Sequence, residues 1–152
     1  MPIQPMGRPE SGVGVGIVAA GYSGTPLARK LGVKAGQRTW HSKMPATVLA
    51  EILGEGLRPE IVATPSVGLE MAHIFVTERL ELAGKLLRLR KLLAADGMIW
   101  VSWPKKASKV ETDITEHVVR AGALPLGLVD VKVCAVDEVW SGLKLVIRKS
   151  ER

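Results

Sequence analysis

Two tryptophans and three lysines lie within ten residues, "WVSWPKKASK" at positions 100–109. Indole rings offer flat apolar walls and lysines neutralise anions, so the stretch has the composition of a small-ligand pocket. The charge around it is concentrated. Residues 85–109 carry seven basic side chains (Lys85, Arg88, Arg90, Lys91, Lys105, Lys106, Lys109) against one acid, Asp96, which accounts for the whole net charge of +6. A surface of that kind draws phosphates and other anions. It also suits nucleic acid, whose bases stack on tryptophan while its backbone takes the cations. The plainer alternative is a solvated helix face, open to a protein partner.

Signatures of catalysis are missing, and no residue is assigned a catalytic role. There is no G-x-S-x-G elbow, and Gly84-Lys85 is followed by Leu86, so no phosphate-binding P-loop. His41, His73 and His117 lack metal-ligand spacing, so no metal is expected. His73 lies inside the apolar "MAHIF" and reads as a core histidine. The single cysteine, Cys134, sits in "VKVCAV"; it reads as buried and fits a reducing cytoplasm. No run approaches the roughly 18 apolar residues of a membrane span, and no secretory leader is visible.

The elements that would position these residues follow from periodicity and punctuation. The 152 residues have room for one domain with a proper core. Residues 1–20, with early prolines and then alternating glycine and valine, read as a flexible arm, leaving 21–152 as a single domain. Within the arm, Gly14-x-Gly16-x-x-Ala19 has the outline of a dinucleotide loop but no strand before it. In "GYSGTPLARKLG", Thr25 predicts a helix cap, Pro26 the first helical position and Gly32 the stop. Ser23, Gly24 and Thr25 beside that helix start form a weak candidate anion site. Beyond Gly36 strands and helices alternate: "QRTWH" strand, "ATVLAEIL" helix, "EIVAT" strand, "LEMAHIFVT" strand. Leu82, Leu86, Leu89 and Leu93 recur at helical spacing in "ERLELAGKLLRLRKLLAADG", with Gly97 closing the connection to the strand "MIWVSW". A helix follows in "ETDITEHVVRAGA", with Asp113 and Glu116 at capping-box spacing and Gly122 near its end. "LVDVKVCAV" and "LKLVIRK" then pair as a hairpin. Such an order predicts an α/β fold: a mostly parallel sheet with helices on both faces and a C-terminal antiparallel hairpin.

Open sheets of this kind bind ligands beyond the carboxyl ends of their parallel strands. That rule gathers Trp40, His41 and Ser42 from one strand, Thr77, Glu78 and Arg79 from the next, and Trp103, Pro104, Lys105 and Lys106 from a third. If "VKVCAV" is parallel to these, Asp137, Glu138, Trp140 and Ser141 join them. Trp103 and Trp140 would then form apolar walls, and Arg79, Lys105 and Lys106 would hold an anionic group. Trp100 packs into a sheet face.

The run "VTERLELAGKLLRLRKLLAADGMIWVSWPK", with the helix and hairpin after it, resembles the second half of class I methyltransferases, which have a Rossmann-like core. "AGYSGTPLARKLG", "WVSWPKKAS" and "VDVKVCAVDEVWSGL" look like the signatures of a small bacterial family known only as a domain of unknown function. The methyltransferase resemblance implies a glycine-rich turn after the first strand, where S-adenosylmethionine (SAM) binds. Here that turn is "WHSKMPATV", with Ser42, Lys43 and Pro45 and no glycine, so no cofactor is expected. The sequence therefore predicts a cytoplasmic, non-catalytic module that binds a small anionic ligand at the carboxyl rim. The alternatives are a nucleic-acid or protein-interaction module using residues 85–109, and a divergent methyltransferase-like enzyme.

Overall fold

A computed structural model of the chain describes residues 24–152. The arm over 1–20 and its glycine motif lie outside the described residues. Among the described residues six strands form one sheet: β1 (Arg38–Ser42), β2 (Glu60–Ile61), β3 (Leu69–Phe75), β4 (Leu93–Pro104), β5 (Leu128–Ala135) and β6 (Trp140–Ile147). Their spatial order is β2-β1-β3-β4-β6-β5. β1 is parallel to β2 and to β3, and β3 to β4, while β6 is antiparallel to both β4 and β5. This is the expected mostly parallel sheet with an antiparallel closing hairpin. Among the described residues no helix is long and apolar enough to cross a membrane.

Side-chain alternation along the strands divides the core between two faces. On one, α1 (Leu27–Leu31) and α2 (Ala46–Leu53) pack Leu27, Leu31, Val48 and Ile52 against Met71, Phe75 and Trp100. On the other, α3 (Arg79–Leu92) and α4 (Glu116–Ala123) pack Leu82, Leu86, Leu89 and Val119 against Ile74, Ile99, Val101 and Trp103. Trp100 is fully buried, and its Nε1 donates to the Leu31 carbonyl at 2.8 Å, tying α1 to the central sheet.

Helix ends depart from the expectations in instructive ways. Gly32 does close α1 in the left-handed conformation, at φ 77°. Pro26, however, occupies the cap position in extended backbone, so Thr25 stands one residue too early and no side chain caps the helix. The capping box at Asp113 and Glu116 does not form. Thr115 is the cap, its hydroxyl accepting from the Val118 amide, while Asp113 Oδ1 accepts from the Arg79 amide across the gap to α3. Gly122 lies inside α4, and the chain runs on through a 3-10 turn to Gly127. Replacing Thr115 with Ala should cost about 1 kcal/mol of stability, read as a lower urea midpoint with unchanged slope. No such loss is expected from Asp113→Asn, which keeps an acceptor for Arg79.

Leu93 leaves the helix and opens β4. It pairs with Leu69, and Met98 pairs with Met71, so residues 94–97 bulge out between these two pairs. Gly97 is required there for space: a Cβ would stand 2.8 Å from Leu93 Cδ1 and 3.0 Å from the Leu69 carbonyl. Trp140, expected in a loop, already belongs to β6, and the turn before it is fastened by Asp137 Oδ1, which accepts from the amides of Val139 (2.9 Å) and Trp140 (2.8 Å).

Candidate functional site: the crevice between β1 and β3

From β1 the chain crosses through α2 on one face to β2; from β3 it crosses through α3 on the other face to β4. The two connections diverge, which leaves a crevice outside the carboxyl ends of β1 and β3. That is the topological switch point, where open α/β sheets take their ligands. Two chain segments line its mouth: residues 43–45 leaving β1 and residues 76–78 leaving β3.

The turn after β1 reaches a conformation normally left to glycine. Lys43 has φ 58°, one of two non-glycine residues with positive φ among those described. Its Nζ lies 2.8 Å from Glu81 Oε2, in the first turn of α3, so an ion pair spans the crevice from one strand exit to the other. Glu81 is also 3.7 Å from Lys85 Nζ. The hydrogen bond and charge of Glu81 raise the Lys43 pKa above its ordinary value. Behind this turn α2 begins at Ala46 with no side chain capping its first amides.

Beside the β3 exit a cavity of ≈ 360 Å³ is lined by Thr77, Glu78, Glu111, Thr112 and Asp113. The segment that closes it is pinned to β3's end: Thr112 Oγ1 and the Asp113 amide both donate to the Thr77 carbonyl, at 2.7 and 3.3 Å. Three carboxylates line this cavity, whereas Lys105 and Lys106 are absent from it.

The exits of β1, β3, β4 and β5 share one edge of the sheet, but their side chains do not gather there. Trp103 is only 7% exposed and packs under α3 and α4, so it forms no pocket wall. Trp40 packs on the same side and donates its Nε1 to the Ala63 carbonyl. Trp140 faces the other way, edge-on to Phe75 with ring centroids 5.1 Å apart. The expected convergence of three tryptophans is thus corrected by strand alternation. His41 is half-buried beside His73 in register, and burial lowers its pKa. Glu78 and Arg79 are exposed at the start of α3. Lys105 is half-buried, its amide bonded to the Val139 carbonyl, and Lys106 is exposed. Asp137 is spent on the hairpin turn, Glu138 is exposed and Ser141 lies opposite Trp103.

The basic run is divided as well. The end of α3 and residues 105–109 sit at opposite ends of the sheet, separated by the length of β3, about 20 Å at ~3.3 Å per residue. Of the weak anion site, Ser23 lies outside the described residues. Gly24 and Thr25 line a cavity of ≈ 410 Å³ between α1, α2 and the hairpin turn, where Glu51, Glu55, Asp137 and Glu138 outnumber Lys30. Burial is the main cause of the raised Glu51 pKa there. Among the described residues no cluster of three or more metal-ligating side chains occurs.

The sequence reading missed Lys43, Glu81, Glu111, Thr112 and, as a cavity residue, Asp113. Lys43 carried a usable signal: it follows a strand end directly, by the same rule that selected Trp40 and His41. Glu81 carried none, because its partner is 38 positions away and only the neighbouring of β1 and β3 brings them together.

No family model and no curated protein matches the sequence, so its three-segment likeness to a small bacterial family has no further support. Solved structures match its fold. An O-methyltransferase from neocarzinostatin biosynthesis, NcsB1, solved with SAM and 2-hydroxy-5-methyl naphthoic acid, superposes with a TM-score of 0.58 at 12% identity, over 84% of this chain and 51% of that one. A SAM-dependent methyltransferase from Aquifex aeolicus gives 0.57 at 13% identity, over 80% of this chain and 88% of that one. OxaC, solved with S-adenosylhomocysteine (SAH) and oxaline, gives 0.53 at 13%, over 82% and 46%. This chain spans 39% of the first solved chains it resembles and about half of NcsB1. These neighbours overturn the expectation of a domain without a cofactor, since they are solved with SAM or SAH or described as dependent on SAM. The turn after β1 does take the left-handed conformation, at Lys43, with a side chain where glycine would have none. The likeness establishes the fold: a Rossmann-like, methyltransferase-type sheet whose closing strands run antiparallel.

Proposed function

We propose that this chain is a SAM-binding domain of the methyltransferase type, with the cofactor in the crevice between β1 and β3. The observation that carries this reading is the switch point between β1 and β3, in a sheet whose solved neighbours include complexes with SAM or SAH. The residues present fit such a group. Lys43 brings a positive charge on a left-handed turn, and the uncapped start of α2 favours an anionic end. The exposed carboxylate of Glu78 suits a sulfonium or ammonium. When bound, SAM supplies an electrophilic methyl group. The adjoining cavity, lined by Thr77, Glu78, Glu111, Thr112 and Asp113, leaves room for an acceptor and is within the size range of small-molecule sites. The fixed hydrogen bonds from residues 112 and 113 to Thr77 hold that wall to the end of β3.

Thermal unfolding with added SAM or SAH tests the reading. Ligand at a hundred times its Kd stabilises the folded state by about 2.7 kcal/mol, which for a chain of this size raises Tm by about 6–10 °C. A midpoint that stays put at millimolar SAM and SAH would rule the proposal out.

A further inference from the structure

We propose that Lys43 is the anion-binding residue of this crevice: its ammonium leaves Glu81 for the carboxylate of a bound nucleoside amino acid, so that ligand and Glu81 compete for one cation. The inference rests on the SAM-binding reading above and adds to it the residue that recognises the amino-acid end. Three features carry it. First, the Lys43–Glu81 pair joins the exits of β1 and β3 across the mouth of the crevice, at 2.8 Å. Second, the Lys43 side chain is 68% exposed on a long, flexible stem while Glu81 is only 18% exposed, so the lysine is the partner free to swing away and the carboxylate stays in place. Third, Glu81 does not lose its counter-charge when Lys43 moves, because Lys85 stands 3.7 Å away in the next helical turn. A point charge on a flexible stem can thus take the anion-binding role that glycine-rich turns leave to backbone amides. The uncapped amides at the start of α2, three residues on, reinforce the same polarity.

Calorimetric titration with two nucleosides separates this inference from the reading beneath it. SAH carries the amino-acid end, and 5′-methylthioadenosine lacks it. Wild-type chain should bind SAH more tightly than methylthioadenosine. Lys43→Met should weaken SAH binding about tenfold, as expected for a lost hydrogen bond to a charged group, while leaving methylthioadenosine within about twofold. Glu81→Gln should tighten SAH several-fold by freeing the cation. Melting curves on both variants confirm that each is folded. If wild-type binds SAH but Lys43→Met binds it equally well, or loses both nucleosides alike, the assignment of Lys43 is overturned and SAM binding stands. An unchanged SAH affinity in Glu81→Gln overturns the competition. Wild-type chain that binds neither nucleoside overturns the reading and this inference together.

Discussion

Replacing Trp100 with Ala should remove about 3–5 kcal/mol of folding stability, the range for deleting a buried aromatic. Trp100 is fully buried at the centre of the α1/α2 face, where a cavity cannot collapse without moving Phe75, Leu31 or the backbone at Gly142. A Cβ on Gly142 would stand 3.2 Å from the indole, so β6 already closes on the ring as tightly as its backbone allows. The substitution also orphans the Leu31 carbonyl, which accepts from Nε1 at the C-terminal end of α1. Trp100→Phe separates the two contributions: it keeps most of the packing and should cost about 1–3 kcal/mol, chiefly the unmet hydrogen bond. Denaturant unfolding of the two variants gives the magnitudes. Hydrogen exchange in α1 locates the second effect, since a helix of five residues has little hold of its own once that bond is gone. Equal losses from Ala and Phe would refute this division.

The second large effect is a loss of stability in acid traceable to one histidine. His73 lies 1% exposed on β3, stacked on Phe75 at 4.5 Å and sharing a 2.8 Å hydrogen bond with the buried Ser102 hydroxyl. Burial, aided by the neighbouring charge of His41, lowers its pKa from 6.5 to about 3. Between those values the unfolded chain takes up a proton that the folded chain refuses, so stability falls as pH falls. The contribution is fully present above pH 6.5. Below it the loss runs at about 1.4 kcal/mol per pH unit and reaches roughly 4–5 kcal/mol near pH 3. Urea titrations from pH 7 to pH 4 should show this slope in wild-type chain and a shallower one in His73→Leu/Ser102→Ala. That pair exchanges both polar partners for apolar ones and so leaves neither unmatched. Carboxylates titrate in both proteins, so the difference between the curves belongs to His73. Identical slopes would mean that the ring accepts its proton in place.

Features set by local rules were readable from the sequence. The spacing of Leu82, Leu86 and Leu89 marked α3 because a helix buries every third or fourth residue, and Gly32 marked the end of α1 because its backbone must turn left-handed. The parallel sheet and its closing hairpin followed from the alternation of elements. What failed was decided by contacts between distant segments. Asp113 read as the start of a capping box for α4, but the Arg79 amide claims its carboxylate, and Thr115 caps the helix instead. The rim rule made Trp103 a pocket wall, and only the packing of α3 and α4 over that face of the sheet shows that the ring is covered. The left-handed turn after β1 was not legible because no glycine marks it: Lys43 takes that conformation, and its ion pair with Glu81 joins residues far apart in the chain.

The order β4-β6-β5 has a consequence for how the molecule assembles. β5 is synthesised before β6, but it touches the rest of the sheet only through β6, which must insert between two strands already made. Until that insertion, β4 presents a bare edge of Val101 and its neighbours, and β5 is an orphan ribbon with Val131 and Val133 exposed. Such open edges are sticky, and pairings that span long stretches of chain form slowly. The interval before the last strand arrives is therefore the vulnerable stage in the life of this fold, when a chaperone has most to protect and a neighbouring nascent chain most to invade.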